Sequence, residues 1–152
     1  MEAVIFVGLQ GSGKSSFYRE RFAETHLRLS LDMLRTRHRE RLILRACVEA
    51  RQGFVVDNTN PTRAERLVYI QAAKEAGFRV VGCYFQSRVE DCLRRNEARP
   101  PGQRVPAKGL LGTAGRMELP SIEEGFDELH YVRIGEGGGF VVEGWWDEDR
   151  RA

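Results

Sequence analysis

Ala3-Val4-Ile5-Phe6-Val7, followed at once by Gly8-Leu9-Gln10-Gly11-Ser12-Gly13-Lys14-Ser15, decides how this chain is read. The first block is apolar and rich in β-branched residues, the pattern of a strand buried on both faces of a parallel sheet. The second completes G-x-x-x-x-G-K-[ST]. Phe17, Tyr18 and Phe22 then recur at helical spacing, so the glycine run lies between a strand and a helix, the context that gives the motif its meaning. Gly8, Gly11 and Gly13 let the backbone turn tightly. Successive N–H groups through Ser12 and on to Ser16 then converge, with a helix N-terminus, on one anion. Lys14 is expected to reach the β- and γ-phosphates, and the Ser15 hydroxyl to help hold Mg²⁺. The stretch predicts a nucleoside triphosphate site.

A length of 152 residues suits one domain, 1–152, with a proper core. No apolar run approaches the roughly 20 residues that span a bilayer, so no membrane segment is expected. The chain opens directly in a core strand, which predicts neither a signal nor a transit peptide. Cys47, Cys83 and Cys92 are odd in number and widely spaced. They are expected to be reduced thiols rather than zinc ligands, in a cytoplasmic protein. The net charge of +2 conceals an asymmetry. Between Arg88 and Arg116 seven basic residues face three acids, whereas between Glu118 and Asp149 ten acids face one base. One basic face is implied. Of 24 basic residues only Lys14, Lys74 and Lys108 are lysines; this suits bidentate phosphate recognition, or equally a compositional bias toward arginine.

Alternation over Leu27–Leu31 predicts a short strand ending at Asp32, followed by one amphipathic helix from about Met33 to Gln52. Phe54-Val55-Val56 predicts a buried strand that runs into Asp57-Asn58-Thr59-Asn60-Pro61, a polar cluster where open α/β sheets place ligands. A helix over Thr62–Ala76 with Gly77 beyond it, a strand over 79–85 and a helix over 88–98 follow. Residues 100–120 lack apolar periodicity and are expected to form most of a helical or loop lid over about 95–120. Ser121 to Glu124 fits a capping box. A last sheet strand is expected over 130–134, then a glycine turn, an edge strand over 140–146 and a frayed tail. The order predicts an α/β fold: a P-loop NTPase-type three-layer sandwich with a mainly parallel sheet and a C-terminal antiparallel hairpin.

Three groups are candidates for chemistry beyond phosphate binding. Asp32, with Arg35 one helical turn on, can take a proton from an attacking hydroxyl while Arg35 grips an anion; equally, Asp32 can be a helix N-cap paired with Arg35. Arg95 and Arg99, also one turn apart, can close on the triphosphate or form a solvated basic face. Asp57 can support Mg²⁺ like a Walker B acid, while the residues after it cap the next helix.

In order, these segments resemble the kinase module of the 5′-hydroxyl polynucleotide kinase family. The matching stretches are Val7 to Ser16, Leu31-Asp32-Met33-Leu34-Arg35, Val56 to Pro61, Arg95-Asn96-Glu97-Ala98-Arg99 and Leu119 to Phe126. The resemblance covers about Val4 to Ile134. It implies that Asp32 is the general base for a 5′-hydroxyl and that Arg35 holds the adjacent backbone phosphate. Arg95 and Arg99 would be lid arginines on ATP, and ATP·Mg²⁺ would donate its γ-phosphate to a DNA or RNA end. The helix carrying Arg37, Arg39, Arg41 and Arg45 would contact the strand. The D-x-D-x-[TV] signature of the phosphatase fused to many relatives is missing, so a kinase without 3′-phosphatase activity is expected. A small-molecule kinase for a sugar, nucleoside or antibiotic, and a non-catalytic nucleotide-binding module, are the competing readings. Oligomeric state is left open.

Overall fold

β1 (Glu2–Val7) is fully buried from Ala3 onward and lies near the middle of a six-stranded sheet. The computed structural model describes residues 1–145. The remaining strands are β2 (Leu27–Leu29), β3 (Phe54–Val56), β4 (Arg79–Phe85), β5 (Glu128–Ile134) and β6 (Phe140–Gly144). Their spatial order is β2-β3-β1-β4-β5-β6, and every pairing is parallel except β5 with β6. Val4 is paired with Val55 on one side and Val81 on the other. The chain leaves β1 toward β3 and later returns to its other flank at β4. This reversal opens a crevice at the carboxyl ends of the strands, where the glycine loop lies.

Period-two alternation sends Ala3, Ile5, Phe54, Val56 and Val80 to one face of the sheet. They are covered there by Leu44 and Cys47 of α3 (Arg37–Ala50) and by Tyr69, Ile70 and Ala73 of α4 (Arg63–Glu75). Val4, Phe6, Val55, Val81 and Phe85 face the other way, against Phe17 of α1 (Lys14–Arg21). Ring centroids of Phe17 lie 5.9 Å from Phe6 and 5.4 Å from Phe85. Each such side chain contributes roughly 1.5–3 kcal/mol by leaving water. The expected mainly parallel three-layer α/β sandwich with its antiparallel edge is the observed fold.

One expectation is corrected, and the make-up of the segment over 100–120 is specified. The single helix over 33–52 is two: α2 (Leu31–Leu34) stops at Arg35, whose φ is 72°, and α3 starts afresh after Thr36, which accepts the Arg39 N–H at 3.1 Å. Residues 100–120, expected within a helical or loop lid, are mostly helical. A 3₁₀ turn over Pro101–Gln103 leads into α6 (Ala107–Arg116), which follows α5 (Val89–Glu97) and buries Leu110 and Thr113. Three glycines in α6 lower its intrinsic propensity, and packing of Leu110 on Leu9 and Cys92 overrides that. The expected edge strand is observed as β6, and Trp145 packs on Tyr84 with centroids 5.5 Å apart. Trp146 and the tail beyond it lie outside the described residues.

Candidate functional site

Gly8, at the end of β1, accepts no Cβ: one would meet Phe85 Cβ at 2.9 Å and Ser12 Oγ at 2.8 Å. Gly11 has φ +83° and sits against the Cys92 carbonyl of α5, 2.6 Å from where a Cβ would stand. Gly13, at φ 101°, is the N-cap of α1. The first intrahelical bond runs from Phe17 N–H to Gly13 at 3.0 Å, so the amides of Lys14, Ser15 and Ser16 precede it and are left for an anion. Lys14 is buried and donates to the carbonyls of Gly8 (2.9 Å) and Leu9 (2.7 Å). Burial, against the opposing pull of Asp57, Cys92 and Asp32 and with a smaller push from Arg99, lowers its pKa to about 8. Asp32 and Arg99 therefore both lie within electrostatic reach of this ammonium.

The loop after β3 completes the cradle. Asp57 is buried, and its Oδ2 accepts from Ser15 Oγ at 3.0 Å and from Arg28 Nε at 2.8 Å. Arg28 also donates to Ser15 Oγ at 3.0 Å, which closes a triangle across β2, β3 and α1. Ser15 and Asp57 offer hard oxygen donors side by side, a set that fits Mg²⁺ bound through the serine hydroxyl and, by way of water, the carboxylate. No group of three or more His, Cys, Asp or Glu able to hold a metal occurs among the described residues. Gly8 N–H donates to the Thr59 carbonyl at 3.0 Å, and Asn60 Nδ2 to the Phe6 carbonyl at 2.7 Å, so the loop after β3 is bonded to the one after β1.

The segment that carries Asp32 and Arg35 is held differently. Asn58 Oδ1 accepts the Leu31 N–H at 2.9 Å, one residue before Asp32. Its Nδ2 donates to Glu40 at 2.8 Å, and buried Glu40 also accepts from Tyr69 OH at 2.6 Å and from Arg37 at 3.3 Å. Asp32 is exposed in α2, whose N-cap is Ser30, so the helix-cap reading of Asp32 does not hold. Its carboxylate has no hydrogen-bond or ion-pair partner among the described residues. Arg35, pushed out of the helix by its positive φ, is exposed and equally unpaired, so the two do not share a helix face as the spacing predicted. Arg95 donates to the Gly11 carbonyl at 3.3 Å, which places this arginine on the glycine loop. Asn96 clamps both polar groups of Val105 (2.6 and 3.0 Å) and fixes the turn that leads to α6. Gln10 donates to Thr113 of α6 at 3.2 Å, so the segment over 95–120 rests on the glycine loop. Ser16 is exposed beyond the cradle.

Sequence reasoning missed Arg28, Glu40 and the pair Arg66–Glu124. Arg66 is 0% exposed and forks onto Glu124 (2.8 and 3.1 Å) while donating to the Asn60 carbonyl at 2.9 Å. Glu124 closes the capping box with Ser121, as expected there. All three cysteines are buried and free, and burial raises each thiol, Cys83 to about 12, which makes them poor nucleophiles.

A sequence profile of the AAA domain family matches residues 4–120, and the chain belongs to this family of P-loop proteins. Among curated proteins, the bifunctional polynucleotide phosphatase/kinase of Schizosaccharomyces pombe is 28% identical over 138 residues. That match covers 86% of this chain and 33% of the relative, so the chain spans about a third of that protein's length. Among solved structures, Kti12 of Chaetomium thermophilum in complex with ADP-AlF3 superposes with a TM-score of 0.66 at 18% identity, covering 88% of this chain and 91% of that one. A gluconokinase from Sinorhizobium meliloti 1021 gives 0.61 at 20% identity, covering 89% and 83%. The fold is that of P-loop kinases and implies nucleotide binding.

Proposed function

We propose that this chain is an ATP-dependent kinase that phosphorylates the 5′-hydroxyl end of a polynucleotide. One observation carries the reading: an unpaired, exposed carboxylate, Asp32, stands within electrostatic reach of the phosphate-binding lysine, on a short helix whose start is pinned by Asn58. The phosphates of ATP lie on the amides around α1, with Lys14 turning from the loop carbonyls to the β- and γ-oxygens. Ser15, with Asp57 through water, would hold Mg²⁺, which would supply neutralisation of the charge developing on the phosphates. Asp32 accepts the proton of the 5′-hydroxyl as its oxygen bonds to the γ-phosphorus. The bond from that phosphorus to the β,γ-bridging oxygen breaks, and ADP leaves. Arg95 and Arg99 stabilise charge on the transferred group.

Arg35, exposed three residues after Asp32 and without a carboxylate partner among the described residues, suits the phosphate that follows the acceptor nucleoside. A sugar or free nucleoside has no such phosphate. The name of the S. pombe relative supports the same substrate class. Transfer of labelled γ-phosphate to a 5′-OH oligonucleotide, measured beside gluconate and free nucleosides, tests the reading. Preference for the oligonucleotide is expected; transfer to the small molecules alone overturns it.

A further inference from the structure

Arg28 is a cation set among the groups that suit a metal ion. Alternation along β2 turns it away from Leu29 and onto the face of Val55, the side of the sheet that α1 covers. From there its guanidinium reaches two atoms at once: Nε donates to Asp57 Oδ2 at 2.8 Å and Nη2 to Ser15 Oγ at 3.0 Å. These are the two oxygens whose chemistry fits Mg²⁺. The Ser15 hydroxyl donates its own proton to Asp57 Oδ2, so what it offers Arg28 is a lone pair, the kind of electron pair a metal ion takes. The Asp57 side chain is 2% exposed and the Arg28 side chain 23%, with its guanidinium 5.8 Å from the Tyr18 ring centroid. The carboxylate is sealed in, and the arginine stands at the rim.

Charge decides what can enter. Asp57 faces two cations, Arg28 in contact and Lys14 within electrostatic reach. A dication arriving alone meets a guanidinium already on both oxygens and is repelled by it, the more strongly out of water. The phosphates of a nucleotide reverse that balance. We propose that Arg28 is a stand-in for the metal ion: it neutralises Asp57 and holds Ser15 Oγ until Mg²⁺ arrives with a nucleotide, and it keeps Mg²⁺ from binding alone. A simple structural ion pair needs only Asp57. The second bond, to the metal-binding hydroxyl, is what points to substitution for a metal. The proposal rests on the assignment of Mg²⁺ to Ser15 and Asp57, and it is independent of the acceptor.

The test is direct metal binding, with Mn²⁺ as the probe and the unbound ion counted by electron paramagnetic resonance. Without nucleotide, Arg28→Gln is expected to bind Mn²⁺ at least about tenfold more tightly than the wild type, since one contact charge beside a dication is removed. Mn²⁺ alone should also raise the Tm of Arg28→Gln, which strands a buried carboxylate, and leave the wild-type Tm unchanged. Adding Asp57→Asn to Arg28→Gln should abolish both effects. A second measurement does not depend on the neutral variant folding. The Arg28 Nε–H signal in a ¹⁵N spectrum of the wild type, assigned by its loss in Arg28→Lys, should stay in place with Mg²⁺ alone and shift with Mg²⁺ and ADP together. Equal Mn²⁺ affinity and Tm response in wild type and Arg28→Gln, or an Nε–H signal that Mg²⁺ with ADP leaves in place, overturns the stand-in and keeps the metal assignment. A wild-type protein that binds ADP equally with and without Mn²⁺ overturns the metal assignment and the stand-in together, and leaves the acceptor reading to its own experiment.

Discussion

The donor and acceptor halves of the site are built to different standards of rigidity. On the donor side, Lys14, Ser15, Asp57 and Asn60 all carry short hydrogen bonds, and all but Ser15 are buried. On the proposed acceptor side, Asp32 and Arg35 are exposed and without a side-chain partner among the described residues, and only the start of their helix is fixed, by Asn58 at Leu31. A triphosphate is one shape with fixed charge, so its cradle can be assembled in advance. In the proposed reaction a strand terminus arrives from solvent and must displace water from groups left open to it. Preorganisation here belongs to the ligand that never varies.

The contrast is put to its sharpest test at the arginines proposed to act on the transferred phosphate. Arg99→Ala is expected to lower kcat by about 10³ or more, by analogy with arginines that stabilise transferred phosphoryl groups, and ADP affinity measured by calorimetry should fall far less. Asp32→Asn should cost about 10²–10⁴ in kcat, the range of general base catalysis, with ATP affinity retained. An Asp32→Asn protein that loses ATP binding would place Asp32 on the donor side instead. Removing the buried cation by Arg66→Leu strands Glu124 and is expected to destabilise the fold by about 3–5 kcal/mol in urea unfolding. Asn58→Ala sharpens the comparison, since it leaves the Leu31 amide unpaired; about 1–3 kcal/mol of stability and a lower kcat with unchanged ADP affinity are expected.

The smallest effect is that of pH. Lys14 in the free protein titrates near 8, so ADP affinity should fall as pH rises through that value, by up to about tenfold per unit, and Lys14→Met should abolish the slope. The sign for stability is opposite. The depressed pKa makes the buried ammonium destabilising below about 8, a cost relieved as pH rises from there toward 10.5.

The donor half was legible in the sequence because its signal is local: a strand, three glycines, a lysine and a helix in one contiguous run. The break at Arg35 was not, because periodicity passes through it. Thr36, an N-cap residue type ahead of Arg37, was the available sign. Helix α6 was hidden by Gly109, Gly112 and Gly115, although Leu110, Ala114 and Met117 keep helical spacing. Arg28 read only as the polar member of an alternating strand. Its partner is 29 residues away, across a register that pairs Leu29 with Val56 and so brings Asp57 beside it. Arg66 and Glu124, 58 residues apart, were equally unreadable. Spacing reports neighbours along a helix or strand; ion pairs between elements depend on topology.

The edge strand has a use beyond closing the sheet. Phe140 of β6 meets Phe17 edge to face with centroids 5.0 Å apart, and its ring lies 3.0 Å from where a Cβ on Gly13 would stand. That aromatic edge is the back wall of the glycine loop, although it lies past residue 120, where the family match ends. Remodelling the hairpin tip at Gly137 and Gly138 will therefore register as a change in how tightly ADP is held.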